Sequence, residues 1–103
     1  MLLTVIESAT FQRNAASIWS DAEREAFIDF IAANPLEGVV IKRTDPAARK
    51  VRWKRQGTGK SGGARVIYYY ADEDGAVLLV TVYAKGNTSA LSAAEINRLG
   101  KGA

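Results

Sequence analysis

Three strand-forming segments follow one another in the second half of the chain and constrain its fold more than any other feature. They are Lys50–Arg55, Ala64–Ala71 and Ala76–Tyr83, each containing β-branched or aromatic residues. The glycine-rich stretch Gly57–Gly63 joins the first two, and a turn with Asp74–Gly75 at its tip joins the last two. Because such short connections join antiparallel neighbours, the spacing predicts two consecutive hairpins, which together form an antiparallel meander.

The clearest helix precedes the meander. Ser20 and Glu23 have the spacing of a capping box, in which each side chain accepts a hydrogen bond from the backbone N–H of the other residue. Apolar residues then recur at helical intervals until Asn34–Pro35, where the proline ends the helix. The sequence therefore predicts an amphipathic helix over this stretch.

Weaker signals cover the two ends of the chain. Leu2–Ile6 is short, apolar and β-branched, which favours a strand. Phe11–Ile18 is interpreted as a short helical turn or a loop. Ser92 with Glu95 is a second capping box, and it predicts a short C-terminal helix that fades at Gly100.

The order of these elements, β-α-β-β-β-α, predicts an α+β fold. We expect a small, twisted, mainly antiparallel sheet with helices packed on one of its faces. In this interpretation Leu36–Ala48 is a connection that contains a short extended piece at Val39–Ile41. A chain of 103 residues has room for one modest core, so residues 1–103 are expected to form a single domain.

Positive charge is concentrated in the region of the strands. Residues 46–71 hold seven of the 14 Lys and Arg residues and no Asp or Glu, whereas residues 21–37 are acidic. Strand alternation puts Val51 and Trp53 on one side of their strand and the cations on the other, namely Lys50, Arg52 and Lys54. Because a concentrated positive face is what a phosphodiester backbone requires, the sequence predicts an RNA-directed protein.

A cluster of cations is the first candidate for a functional site. If the meander pairs as predicted, four basic side chains face one groove: Lys50, Arg52, Arg65 and Lys85. Such cations repel one another unless an anion joins them, which indicates a functional role rather than a role in folding. Any one of them taken alone has the alternative interpretation of an ordinary solvated strand residue.

Further candidates for RNA contacts surround this groove. Lys54 extends the basic face, and Tyr69 and Tyr83 are candidates for stacking on bases. Lys60 is a candidate phosphate contact in the Gly57–Gly63 connection, although an ordinary hairpin turn explains the glycines equally well. The Gly-Lys-Ser of this connection lacks the spacing and the following helix of a Walker A loop, so that interpretation is rejected.

Cys and His are absent from the chain, which limits the possible catalytic chemistry and indicates the cellular compartment. The chain has no Cys, which excludes disulfides and thiolate zinc sites and suits a reducing compartment. It has no His either, so any catalysis depends on Lys, Arg, Tyr, Asp or Glu. No apolar run approaches the ~20 residues of a membrane span, and the pattern of a signal peptide is absent. We therefore expect a cytoplasmic protein with no metal, cofactor or membrane partner.

Several short sequence blocks, spread over nearly the whole chain, form a recognisable combination. They are Ala-Asn-Pro-Leu-Glu-Gly at 33–38, Arg-Lys-Val-Arg-Trp at 49–53, Gly-Lys-Ser-Gly-Gly-Ala-Arg-Val-Ile-Tyr-Tyr at 59–69, Val-Tyr-Ala-Lys at 82–85 and Leu-Ser-Ala-Ala-Glu at 91–95. Together they resemble the RelE/HigB-like toxins of bacterial type II toxin–antitoxin systems. The resemblance implies a compact sheet with helices on one face and cleavage of mRNA on the ribosome without a metal. It also implies a cognate antitoxin, commonly with a helix-turn-helix.

The resemblance implies roles for individual residues. The two cations on the family's catalytic strand fall on Lys50 and Arg52. Its arginine at the start of the following strand falls on Arg65, and its basic residue after the last strand falls on Lys85. Some relatives carry an arginine where this chain has Gly86, and a tyrosine in the C-terminal segment, which this chain lacks. The identity of the general base is therefore open.

Two alternative functions, inhibition of DNA gyrase and non-catalytic binding of RNA, are compatible with the same fold or the same basic face. ParE-like relatives poison DNA gyrase and tend to lack the catalytic cations, so the presence of Lys50, Arg52 and Arg65 argues against that function. A non-catalytic RNA-binding module would need only the basic and aromatic face. Substitution of Arg65 separates these alternatives, because only a nuclease loses its toxicity while keeping its fold.

Overall fold

The described part of the protein, residues 3–53, 63–84 and 91–102 of the computed structural model, folds into one sheet with helices against it. In chain order the elements are β1 Thr4–Glu7, α1 Ala9–Ile18, α2 Asp21–Ala33, β2 Val39–Ile41, β3 Ala48–Trp53, β4 Ala64–Ala71, β5 Ala76–Ala84 and α3 Ala93–Gly102. The strands lie side by side in the order β1-β5-β4-β3-β2. None of the helices in these ranges has the length and apolar character needed to span a membrane.

The predicted meander is confirmed. β3, β4 and β5 pair in an antiparallel manner, and β2 adds a further antiparallel strand beside β3. β1 pairs with β5 in parallel at the opposite edge of the sheet. The sheet is therefore mainly antiparallel, and the expected α+β class is confirmed. Leu2, Lys54–Arg55 and most of the Gly57–Gly63 connection lie outside the described ranges.

The segment Phe11–Ile18, predicted as a short helical turn or a loop, belongs to the ten-residue helix α1. The Ser8 hydroxyl accepts a hydrogen bond from the Phe11 backbone N–H (3.0 Å) and donates one to the carbonyl of Val80 (2.7 Å). One buried hydroxyl thus caps α1 and fastens it to β5. Phe11 and Ala15 are completely buried and hold the helix against the sheet. The bond to Val80 spans 72 residues of sequence, which is why local patterns did not predict it.

Both predicted capping boxes are present. At the start of α2 the Ser20 hydroxyl accepts from the Glu23 N–H (3.1 Å), and the Glu23 carboxylate accepts from the Ser20 N–H (2.9 Å). Ser92 and Glu95 form the same reciprocal pair before α3, both bonds measuring 3.1 Å. The hydrogen bonds from Ser92, first of all from its backbone N–H, lower the pKa of the Glu95 carboxyl. The predicted starts of both helices are therefore confirmed.

Helices cover both faces of the sheet, which differs from the expected one-sided arrangement. α1 and α2 cover one face, and the buried side chains there include Phe11, Phe27, Ile31, Val66 and Leu79. α3 covers the other face, and the buried cluster there consists of Ala48, Ile67, Val80 and Ile96. Alternation explains the difference, because consecutive apolar residues such as Val66 and Ile67 point to opposite faces of β4. Both faces must then be covered to remove these side chains from water.

A buried tyrosine and an arginine fasten the loop between α2 and β2. Arg49 of β3 and Tyr68 of β4 are cross-strand partners. The completely buried Tyr68 accepts a hydrogen bond at its hydroxyl from the Gly38 N–H (2.9 Å) and donates one to the Pro35 carbonyl (2.7 Å). The Arg49 guanidinium donates to the carbonyls of Gly38 (2.7 Å) and Leu36 (3.4 Å). We call this set of hydrogen bonds the Tyr68–Arg49 clamp.

Only glycine fits at the centre of the clamp. A Cβ atom at Gly38 would lie 2.7 Å from the Tyr68 hydroxyl oxygen and 3.1 Å from the Arg49 Cβ. The tyrosine is rigidly placed in the core, so it cannot move aside for a side chain. The glycine therefore lets the loop backbone approach β3 and β4 closely enough for all the clamp bonds to form.

Removing the Tyr68 hydroxyl should destabilise the fold. In Tyr68→Phe the buried Gly38 N–H loses its partner, and an unsatisfied buried group costs about 1–3 kcal/mol. We expect the free energy of unfolding, measured by urea denaturation, to fall by about 2 kcal/mol. Tyr70→Phe is the matched control, because its hydroxyl bonds Asp72 at the surface (3.1 Å) and its loss should matter by less than about 0.5 kcal/mol. Equal losses in the two variants would contradict the importance of the clamp.

The same burial predicts a loss of stability at alkaline pH. Burial raises the pKa of the Tyr68 phenol above its ordinary value of 10.0, and the opposing effects of the Gly38 hydrogen bond and the Arg49 charge are smaller. The folded state thus holds this proton more tightly than the unfolded chain. Its stabilising contribution is complete below about pH 10 and is lost as the pH rises through the folded pKa. Urea midpoints should fall above that pH, and less steeply in Tyr68→Phe; identical slopes would refute this assignment.

Candidate functional site

A cleft of about 430 Å³ opens beside β3 at the place where β2 stops. β2 pairs with β3 over Ala48–Lys50, so that Val51–Trp53 extend beyond it. The side chains that line the cleft are Phe30, Glu37, Val39, Lys50, Val51, Arg52 and Arg65. The cleft therefore brings together three of the four cations that the sequence analysis proposed as catalytic.

The register of the sheet explains why these cations meet. Arg52 and Arg65 are direct cross-strand partners, and Lys50 lies on the same face of β3 one alternation before Arg52. Directly opposed residues have Cβ atoms ~5 Å apart, and like charges at this spacing repel each other. A bound anion removes the repulsion and accepts charge-assisted hydrogen bonds. The arrangement is therefore suited to a phosphate group.

The cations differ in their surroundings. Lys50 and Arg52 are exposed, and within residues 3–53, 63–84 and 91–102 neither has a hydrogen-bond or ion-pair partner for its side chain. Arg65 is half-buried, with its guanidinium 3.5 Å from the carbonyl of Ala64. The cleft therefore offers two accessible cations at its mouth and a more enclosed one from β4.

Tyr83 lies beside Arg65. It is half-buried on β5, directly across the sheet from that arginine. Burial raises the pKa of the Tyr83 phenol, and the positive charge of Arg65 opposes the shift. The phenol therefore keeps its proton at neutral pH and acts as a neutral hydrogen-bond donor.

The other predicted contacts lie apart from the cleft or outside the described ranges. Tyr69 is half-buried beneath α3, belongs to the second core cluster and lines a separate groove of about 410 Å³. A side chain at Gly100 would collide with the Tyr69 ring, so glycine permits the close approach of α3. Lys54, Lys60 and Lys85 lie outside the described residues. Their place relative to the cleft stays a prediction, as does stacking of Tyr69 on RNA.

Four lining residues were not among the site candidates from the sequence, namely Phe30, Glu37, Val39 and Val51, and the first two add new chemical groups to the cleft. Phe30 of α2 supplies an aromatic wall, its ring centroid 4.7 Å from that of Trp53. Glu37 is the carboxylate among the lining residues. In the sequence, Phe30 is an ordinary core position of a helix and Glu37 belongs to an acidic stretch away from the basic strands. Packing on Trp53 holds Phe30 beside β3, and the Tyr68–Arg49 clamp with the pairing of β2 and β3 holds the loop that carries Glu37.

The cleft contains the side chains of an anion-binding site, together with groups that can donate or accept protons. Planar guanidinium groups match the geometry of phosphate oxygens, and the ammonium of Lys50 adds a compact point charge. Asp and Glu side chains of the described ranges form no group of three that could hold a metal ion. The described side chains thus supply charge, hydrogen-bond donors and one carboxylate at the same place.

Comparison with known proteins identifies the fold. No protein-family model matches the sequence. The toxin RelE of E. coli, a mutant in the free state, superimposes with a TM-score of 0.56 at 17% identity, over 80% of this chain and 82% of that chain. A chain of the toxin–antitoxin complex RelBE2 from Mycobacterium tuberculosis superimposes with a TM-score of 0.62 at 20% identity, over 84% and 95% of the two chains. This chain has the RelE fold.

The RelE fold confirms, at the level of architecture, the resemblance that the sequence blocks indicated. The match covers four fifths or more of each chain, so the fold is shared as a whole rather than in one motif. The cations of the cleft lie on β3 and β4, two neighbouring strands of the sheet.

The cleft predicts a defined change in the salt dependence of RNA binding. Arg52→Ala removes one exposed cation, so the slope of log K against log[salt] for a single-stranded RNA should decrease in magnitude by about 0.7. Arg13→Ala is the control. It removes an exposed cation from α1, which packs against β5, and should leave the slope unchanged. Fluorescence anisotropy with a labelled oligoribonucleotide measures both. An unchanged slope in Arg52→Ala would remove Arg52 from the set of phosphate contacts.

Proposed function

We propose that this protein is the toxin of a type II toxin–antitoxin system and that it inhibits translation by cleaving mRNA. The observation that carries the proposal is the convergence of Lys50, Arg52 and Arg65 on one cleft of a RelE fold. Arg52 and Arg65 are cross-strand partners, so their charges are close together. Such concentrated charge is suited to stabilising a phosphate whose negative charge grows during reaction.

The reaction would be a phosphoryl transfer within the RNA. The 2′-oxygen of a ribose attacks the adjacent 3′-phosphate, while the bond from phosphorus to the 5′-oxygen of the next nucleotide breaks. The products are a 2′,3′-cyclic phosphate and a free 5′-hydroxyl. One proton leaves the 2′-hydroxyl and another is added to the 5′-oxygen, so the reaction needs a base and an acid but no metal ion.

The cleft residues have distinct roles in this scheme. Arg52 and Arg65 stabilise the negative charge that develops on the phosphate oxygens, since their guanidinium groups bind two oxygens at once. Lys50 adds electrostatic stabilisation and is a candidate for the base. The neutral phenol of Tyr83 lies beside Arg65, where it can donate a hydrogen bond to the leaving oxygen. Lys85 is proposed to contribute from the segment after β5.

Cleavage is proposed to depend on the ribosome, and the open shape of the site supports this part of the proposal. The cleft is open, and two of its cations are exposed, so it binds phosphate without fixing one RNA conformation. An in-line attack requires the 2′-oxygen, the phosphorus and the leaving oxygen to be aligned. We propose that mRNA held on the ribosome supplies this alignment.

The proposed partner is a cognate antitoxin in the cytoplasm. The M. tuberculosis structure that shares this fold is itself a toxin–antitoxin complex. An antitoxin segment with acidic side chains would complement the cations of the cleft. The antitoxin is expected to carry a helix-turn-helix, as the resemblance of the sequence implies.

Expression in bacteria tests the proposed function. Induced wild-type protein should stop growth and create new mRNA 5′ ends within translated frames, whereas Arg65→Ala should do neither because the developing charge is not stabilised. Removal of one such donor typically costs about 10²–10³ in rate. The measurement is a growth curve together with 5′-end mapping, with Arg13→Ala as the control of equal charge change.

The outcomes separate the candidate functions. Growth arrest without new RNA ends would refute cleavage and would support a gyrase-directed toxin. RNA binding without growth arrest would refute the toxin function and would support a binding module. Thermal unfolding of purified Arg65→Ala confirms that its loss of activity is not a loss of fold.

A further inference from the structure

Glu37 is the acidic residue among the described residues that line the cleft, and no contact within the described ranges assigns its side chain a structural role. It lines the cleft together with Lys50, Arg52 and Arg65. Within the described ranges its side chain has no hydrogen-bond or ion-pair partner. A surface carboxylate can occur anywhere, but this one is held at a site whose other charges are all positive. Its position therefore calls for an explanation from the chemistry of the site.

The fold holds the backbone of Glu37 from both sides. On one side the Glu37 N–H donates to the carbonyl of Asn34 (3.1 Å). On the other side Gly38 is bound by the Tyr68–Arg49 clamp at both its N–H and its carbonyl. Tyr68, at the centre of the clamp, is completely buried, and there is no room for a side chain at Gly38. The loop is thus a fixed support that presents Glu37 to the cleft.

The register of β2 places this support next to the cations. Val39 follows the clamp directly and is the cross-strand partner of Lys50. Burial raises the pKa of Tyr68, the Gly38 hydrogen bond and the Arg49 charge oppose this, and the charge of Glu37 makes the smallest contribution, in the upward direction. Among the described residues, the charged and titratable groups of the cleft and the clamp are Lys50, Arg52, Arg65, Arg49 and Tyr68.

We infer that Glu37 is the catalytic base of the RNA cleavage, an inference that rests on the proposed function. The carboxylate accepts the proton of the 2′-hydroxyl while the bond from the 2′-oxygen to phosphorus forms. The bond from phosphorus to the 5′-oxygen breaks, and that oxygen takes a proton from water. The protonated carboxyl then returns its proton to solvent, so no other reactant is needed.

The choice of Glu37 over Lys50 follows from their chemistry. An ionised carboxylate has lone pairs that accept a proton, whereas an ammonium group has three donors and no acceptor. The chain has no histidine, and among the described residues that line the cleft Glu37 is the acidic one. In this scheme Lys50, Arg52 and Arg65 bind the phosphate oxygens, and Glu37 accepts the proton of the 2′-hydroxyl.

Single-turnover cleavage of a defined mRNA on purified bacterial ribosomes tests this inference. Glu37→Gln keeps the shape of the side chain but removes the proton acceptor, and we expect a rate at least about 10²-fold below wild type. Glu37→Asp keeps the carboxylate and should retain part of the rate. Glu73→Gln is the matched control, because it makes the same change at an exposed position in the turn between β4 and β5, away from the cleft, and should cleave like wild type.

The pH dependence distinguishes a base from a merely structural residue. In the wild type the rate should fall on the acidic side as the base becomes protonated, and this fall should be absent in Glu37→Gln. Affinity for the programmed ribosome should be equal in the two proteins. Wild-type rates and an unchanged pH profile in Glu37→Gln would overturn the inference, and so would a loss explained wholly by weaker binding. Absence of cleavage by the wild type itself would instead refute the proposed function.

Discussion

The register between β3 and β4 is the constraint on which the other features of this protein depend. It sets Arg49 opposite Tyr68 on one face of the sheet and Arg52 opposite Arg65 on the other. A shift of one residue would move every side chain of β3 to the other face, and both pairs would be lost. A single strand pairing thus builds the clamp that supports the loop and the pair of cations that defines the cleft.

Burial on both faces of the sheet maintains this register. Each fully buried Val, Leu, Ile or Phe contributes about 1.5–3 kcal/mol, whereas a like-charge cross-strand pair costs at most about 1 kcal/mol. Val66 and Ile67, neighbours in β4, are both buried and lie in different core clusters. The core therefore outweighs the repulsion between Arg52 and Arg65. The cations are held together before any anion binds, which is the condition for electrostatic stabilisation of a reacting phosphate.

The Tyr68–Arg49 clamp contributes mainly to stability, whereas the cleft contains the residues that are proposed to act on RNA. The hydroxyl of Tyr68 is buried and satisfied on both sides, so changes there act on stability first. Lys50 and Arg52 are exposed, and surface substitutions of this kind usually alter stability by less than about 0.5 kcal/mol. Glu37 connects the two, because the clamp fixes its backbone while its side chain belongs to the cleft. The proposed chemistry depends on this support more than on any flexibility of the loop.

Local patterns in the sequence predicted much of this structure. The capping boxes at Ser20 and Ser92 depend on residues three positions away, and the meander depends on short turns, so both were readable from the chain alone. The alternation in β3 likewise predicted that Lys50 and Arg52 share a face. These features are local, because the partners that form them are close in sequence.

Contacts between segments that are distant in sequence determined the features that local patterns did not predict. α1 is a full helix because Ser8 reaches a carbonyl 72 residues away, and α3 lies on the second face because Ile67 and Val80 need cover there. Glu37 reaches the cleft because Tyr68, 30 residues beyond Gly38, holds the loop. The sequence by itself thus determined the elements and the chemical type of the site. Only the tertiary structure decided which side chains meet, since burial and hydrogen bonding between distant segments select one arrangement.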